Sequence, residues 1–337
     1  MQTEHSLRAT PTTRNGIGAR RSESRARGCA QHASYFLAAV FLFGMTAATS
    51  AEEDRDYFEI RNSPGQIKPS PPLAFTFSGN RVVYFSRGRD LDMMSPAKYT
   101  GIGKYTAELN DRYRPEIEQV KRMLANGEIA SVPGRNIGSV LAYSFHRNGM
   151  RYQGQLQYRS SDEINAKLAF LYDLAQDLLD HGTPEINLHP AFAVHAASPN
   201  LVVDVVFRND GKQEVVIDGP EQWLRKRVSL NGQYVEIHAF DSAGVGFKVA
   251  LVEQYLRAAS RPYAATISVK PAQSVKIEFV VPYTELVFDP GSSEPQVHAG
   301  TYRFGGTANL NIQSPAEMKG TAFIRMDTLP AVELTEQ

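Results

Sequence analysis

Apolar and polar positions alternate in two distinct ways along this chain. Between residues 76 and 182 short strand patterns are interleaved with helical ones. Arg81-Val-Val-Tyr-Phe85 is a β-branched and aromatic run, and Lys104–Leu109 alternates as a second strand. A helix opens at Pro115, where the missing N–H costs nothing, carries Ile117, Val120 and Leu124 on one face, and stops at Gly127. Leu141, Tyr143 and Phe145 then alternate up to Asn148-Gly149, the chemistry of a type I′ turn, and Tyr152, Leu156 and Tyr158 continue on the return strand. Ser160 and Glu163 form a capping box for a second helix, whose stripe is Ile164, Leu168, Leu171, Ala175 and Leu178 and whose stop is Gly182.

From residue 183 onward helical periodicity fades and short strands dominate. Leu201–Phe207, Glu214–Ile217, Arg227–Leu230, Tyr234–Phe240, Thr266–Val269, Ser274–Val281, Gly300–Phe304, Ala308–Ile312 and Thr321–Met326 are separated by turns such as Asn209-Asp-Gly211 and Asn231-Gly232. Residues 246–259 fit a strand leading into a short helix, although periodicity does not decide the fold of 246–262. The predicted class is α+β: a β-β-α-β-β-α domain followed by an immunoglobulin-like β-sandwich. The boundaries are 1–51 for an export segment, 52–75 for an extended polar leader, 76–182 for the α/β domain, 183–330 for the sandwich and 331–337 for a tail. The leader is read as a tether from Ser63-Pro-Gly65 and Lys68-Pro-Ser-Pro-Pro72.

Composition adds the export signal. Arg20–Arg27 is basic, Tyr35–Met45 is apolar, and Thr46-Ala-Ala-Thr-Ser-Ala51 is small, which together predict a signal peptide cleaved after Ala51. The apolar run is shorter than the roughly 20 residues a membrane span needs, so no stable membrane insertion is expected after cleavage. Cleavage places the protein in the periplasm or outside the cell. It removes Cys29, the single cysteine, leaving no disulfide and no thiol chemistry. It also removes six arginines against two glutamates, so a neutral chain becomes a mature protein of net charge −4 (30 basic against 34 acidic residues). Nothing in that balance suits nucleic acid.

Several stretches of the second half carry a resemblance. Val203–Lys212, Lys270-Pro-Ala-Gln-Ser-Val–Phe279 and Ala299-Gly-Thr-Tyr-Arg303 are similar to bacterial immunoglobulin-like domains, and to small proteinase inhibitors of the BsuPI type. The domain before them faintly resembles emfourin-type protease inhibitors in its order of elements. The resemblance implies a fold and no inhibitory residue.

Local catalytic motifs are missing: there is no Gly-x-Ser-x-Gly, His-Glu-x-x-His or phosphate-binding loop. No cofactor and no metal are predicted. His189 and His195 would lie about 20 Å apart along a strand, too far to share an ion. Asp173, Asp177 and Asp180 lie opposite the second helix's apolar stripe and read as a solvated face. Two stretches suit a protein partner. Arg87, Arg89, Asp90, Asp92, Met93 and Met94 combine charge with adaptable apolar surface. Trp223, Arg225 and Arg227 are of the residue types enriched in binding hot spots. The expected function is therefore an exported, non-enzymatic protein-binding module, an inhibitor or immunity protein that masks a periplasmic enzyme or toxin. The rival readings are a periplasmic hydrolase of cell-wall or lipid material with a non-local site, and an envelope assembly or adhesion accessory.

Overall fold

Alternation along strands, where successive side chains point to opposite faces, builds more of the described residues than any other element. The computed structural model describes residues 57–63, 74–87, 102–129, 140–157, 166–224, 232–244, 246–288, 299–326 and 330–335. Strands β1 (Phe58–Ser63), β2 (Ala74–Ser78), β3 (Arg81–Arg87) and β4 (Ile102–Glu108) lead into helix α1 (Arg114–Ala125). The hairpin β5 (Val140–Arg147) and β6 (Met150–Gln157) follows, then helix α2 (Phe170–His181). Next come β7 (Thr183–Ala197) and β8 (Asn200–Asn209). β9 (Val215–Asp218), β10 (Tyr234–Phe240), β11 (Gly246–Ala250) and β12 (Thr266–Val269) succeed them. The last strands are β13 (Gln273–Pro282), β14 (Val287–Phe288), β15 (Gly300–Ser314), β16 (Gly320–Met326) and β17 (Val332–Leu334).

These strands form two large sheets, and every recorded pairing is antiparallel. The first has nine strands in the order β13-β8-β7-β4-β3-β2-β1-β5-β6. The second runs β12-β9-β15-β10-β11-β14, with β16 and β17 also paired to β15. The expected α+β class, a β-β-α-β-β-α unit followed by a separate immunoglobulin-like sandwich, is overturned by this topology. Two strands precede the expected first one. β4 then pairs with β7 from Ile102↔Leu188 to Thr106↔Thr183, so one sheet passes through both halves of the chain.

Several local expectations change for physical reasons. The leader taken for a tether holds β1, between β2 and β5, with Phe58 and Ile60 fully buried. The tail contains β17, which lays buried Leu334 against β15. The two runs Gly300–Phe304 and Ala308–Ile312 are one strand, because Gly305 and Gly306 continue it beneath the rings of His238 and Phe192. Residues 246–262 resolve as β11 and then two 3-10 turns, Glu253–Tyr255 and Ala258–Tyr263. Elsewhere the local chemistry works as read. Pro115 sits in the first turn of α1. Asn148 (φ 52°) and Gly149 (φ 73°) close the β5–β6 hairpin with the left-handed pair such a turn needs. The capping box at Ser160 and Glu163 lies outside the described residues.

The core divides into two clusters. One packs α1 and α2 on a single face of β1–β6, with Phe58, Phe75, Tyr84 and Phe145 at its centre. The other lies between β7, β8 and β13 of the first sheet and the inner face of the second sheet, centred on Phe207, Phe279, Phe304 and Trp223. Ile102 is the member of that cluster contributed from before residue 186. Among the described residues no helix is long and apolar enough to cross a membrane.

Candidate functional site

Two helices packed on the same sheet face leave a cleft between their polar sides. Asn110 opens the approach: its side chain accepts a hydrogen bond from the Arg112 backbone N–H at 3.1 Å, starting the 3-10 turn Asp111–Tyr113 that feeds α1. Tyr113 is then buried, and the Arg112 guanidinium lies over its ring at 4.5 Å from the centroid. Across the cleft, Asp173, Gln176, Asp177 and Asp180 follow at i, i+3, i+4 and i+7 of α2, one stripe of the helix. The buried stripe is Leu171, Leu174, Ala175 and Leu178.

The cleft has a volume of about 510 Å³ and is lined by Tyr113, Glu116, Phe170 and the polar stripe, with Arg112 and His181 at its edges. Glu116, Asp173, Asp177 and Asp180 supply four carboxylates. Asp177 meets Arg112 Nη2 at 3.4 Å and His181 Nδ1 at 3.1 Å. Asp180 accepts from Gln176 Nε2 at 2.9 Å. Glu116 Oε2 is buried without a hydrogen-bond partner. Burial pushes the Tyr113 phenol above its ordinary value, offset in part by its bond from Arg112, so it is a neutral hydroxyl at physiological pH. Chemically the cleft is acidic, with an aromatic wall. The three aspartates read from sequence as a solvated helix face border it.

The other candidates lie elsewhere. Trp223 faces inward: it is 4% exposed, packs on Phe279 at 5.8 Å between ring centroids, and donates its Nε1–H to the Asp218 carbonyl at 3.1 Å. It fills the core and presents no binding surface. Arg225 and Arg227 lie outside the described residues, as do Arg89, Asp90, Asp92, Met93 and Met94. Arg87 ends β3, and its side chain is outside them too. His189 and His195 both sit on β7 but take different partners, Asp210 at 3.7 Å and Asp204 at 3.5 Å. Among the described residues no group of three or more His, Cys, Asp or Glu is placed to hold a metal ion.

No protein-family model matches the chain, and no curated protein matches it. Among solved structures it is similar to a protein described as ApaA from Bordetella pertussis. The identity is 10%, the match covers 45% of this chain and 94% of that one, and the TM-score is 0.25. A TM-score that low carries neither fold nor activity across.

Sequence reasoning found the acidic stripe of α2 but not the cleft that it borders. The signal that could have found it is Arg112-Tyr113, one residue short of Pro115: an aromatic and a cation at a helix entry, facing the same cleft as α2.

Proposed function

We propose that this is an exported protein-binding module, an inhibitor or immunity protein of the envelope, that receives a basic segment of its partner in the α1/α2 cleft. The observation that carries the reading is the charge of the cleft. Four carboxylates line it, while Arg112 is its one Lys or Arg among the described residues, and that guanidinium is drawn to one of the four, Asp177. Asp173, Asp180 and Glu116 are left to attract a lysine or arginine from outside. Confinement in a cleft makes such pairs stronger than on a flat surface, because less water screens them. Export, read from the first 51 residues, places that receptor where secreted enzymes and toxins act.

The probe is a fluorescein-labelled tetra-arginine peptide, followed by anisotropy with mature protein. Saturable binding is expected at low ionic strength. The double variant Asp173→Asn, Asp180→Asn should weaken it at least fivefold, about 1 kcal/mol, while leaving the Arg112–Asp177 pair intact. Binding that ignores the variant, or no binding at low salt, rejects the cleft as the docking site.

A further inference from the structure

Strand β6 ends the nine-stranded sheet, and among the described residues no strand pairs with its outer side. It is a long, regular edge. It pairs with β5 from Arg147↔Met150 to Val140↔Gln157 without a register shift. Natural edges are blunted by lysine, proline, a bulge or short length. β6, Met-Arg-Tyr-Gln-Gly-Gln-Leu-Gln, carries none of these and a single charge, Arg151. The opposite end of the same sheet is partly covered. There the Arg257 N–H donates to the Glu278 carbonyl of β13 at 2.9 Å, and the Glu278 N–H donates to Ser260 Oγ at 3.0 Å.

One hydrogen bond fixes which backbone groups of β6 point outward. The His146 N–H donates to the Tyr57 carbonyl at 3.3 Å, away from β6. His146 lies opposite Arg151. Bonded and non-bonded pairs alternate along an antiparallel ladder, so Tyr152 and Gly154 exchange bonds with Phe145 and Tyr143, while Arg151, Gln153 and Gln155 turn their N–H and C=O groups outward. Side chains alternate as well. Arg151, Gln153 and Gln155 are exposed on one face. On the other, Tyr152 stacks on Phe145 at 5.0 Å between ring centroids, and Leu156 is buried. Gly154 adds no side chain to that row, and Met150 at its end is 57% exposed.

We propose that β6 pairs with β6 of a second copy of this chain, antiparallel, about a two-fold axis through Gln153. The edge is complementary to itself in that register. Arg151 lies opposite the second copy's Gln155 and Gln153 opposite its own counterpart, so all three outward-turned residues exchange bonds. Paired glutamines meet as neutral amides, each both donor and acceptor. Tyr152 falls beside the second copy's Gly154, an aromatic covering an edge glycine. The exposed Met150 falls beside the second copy's Leu156. Other axes fit less well. One through Arg151 faces two guanidiniums, a like-charge pair that destabilises a ladder. One through Tyr152 sets Gln155 against the turn at Gly149. Axes through Gly154 or Gln155 leave Met150 beyond the end of the second β6. Because both copies use the same edge, the pairing closes at two.

The test is sedimentation equilibrium of mature protein from micromolar to hundreds of micromolar. A monomer–dimer equilibrium is expected. Gln153→Lys and Gln153→Glu each place like charges face to face at the axis, on an exposed side chain whose backbone takes no part in the β5–β6 ladder. Each should weaken the dimer at least fivefold while leaving the circular dichroism spectrum unchanged. Mixing the two variants sets opposite charges across the axis and should restore association to at least the parent's strength, which a merely misfolded variant could not do. A parent that stays monomeric throughout, a mass that climbs beyond the dimer, a Gln153→Lys protein that dimerises like the parent, or a mixture that associates no better than either variant alone would each overturn the proposal.

Discussion

A tryptophan next to cations can anchor a partner or fill a core, and its packing decides which. Trp223 follows a 3-10 turn, Pro220–Gln222, that points it inward, and its indole N–H finds the Asp218 carbonyl at 3.1 Å. That bond is what a buried indole requires. Trp223→Ala should cost about 3 to 5 kcal/mol, the range for deleting a large buried aromatic. Trp223→Phe should cost less, since it refills much of the space and mainly loses the bond, worth about 1 kcal/mol. Urea unfolding followed by circular dichroism reads both, and equal midpoints for parent and Trp223→Ala would contradict the core assignment. Sequence put this residue on a partner surface, because a tryptophan's neighbours in sequence do not record which side of the turn the core is on. The same holds for Asp173, Asp177 and Asp180. Their shared helix face is visible from spacing, whereas the wall opposite them comes from Arg112 and Tyr113, brought near only by packing on a common sheet.

At the scale of elements, local chemistry was legible and pairing was not. Asn148-Gly149 announces its hairpin, and Pro115 and Gly127 bracket α1. β1 was hidden for a different reason. Phe58 and Ile60 alternate with Glu59 and Arg61, but the stretch is short and proline signals follow it, so the tether reading prevailed. Pairing between elements is held partly by Lys104 of β4. Its Nζ meets Glu185 of β7 at 2.7 Å and Glu317, in the turn between β15 and β16, at 3.0 Å. It thereby joins the two sheets, and its side chain is 16% exposed. Glu185 is held below the ordinary carboxylate range, first by its hydrogen bond from Lys104. Burial pulls Lys104 down, but its bonds to the two glutamates outweigh that and leave it raised. The signs follow from linkage. The Glu185 contribution is complete above its unfolded value and is lost as pH falls through the lowered folded one. The Lys104 contribution is complete below its unfolded value and is lost as pH rises through the raised folded one. Lys104→Met should therefore destabilise by about 1 to 3 kcal/mol near neutral pH, and flatten the loss of stability on acidification below the ordinary carboxylate pKa. Unfolding midpoints measured from neutral to acid pH check both. A variant with an unchanged acid slope would show that this carboxylate is not the linked group.

At the scale of the whole molecule, sheet and core partition the chain differently. The nine-stranded sheet crosses residue 183 without a break, yet the two hydrophobic clusters separate close to it. A fragment of residues 183–337 tests which of the two governs folding. It keeps β7, β8 and β13, the whole second sheet and every buried member of their shared core except Ile102, and it also loses the partly buried Phe85 packed against that core. Losing that buried isoleucine should cost about 2 to 5 kcal/mol by analogy with large-to-small core substitutions. The loss of Lys104 removes a further tie, at Glu185 and Glu317. The fragment also bares β7 where β4 covered it, from Thr183 to Leu188. An uncovered strand edge with free N–H and C=O groups is a template for pairing with another chain. The expected outcome is a folded fragment with dispersed amide resonances that is less stable than the parent and self-associates. Light scattering at several concentrations should show a mass that rises above monomer, and starting the fragment at residue 101, which restores β4 and α1, should not suffice without β3 to pair the other edge of β4. A collapsed spectrum would mean that the continuous sheet, rather than the divided core, sets the folding unit. A monodisperse, well-dispersed monomer would mean that the β7 edge needs no cover.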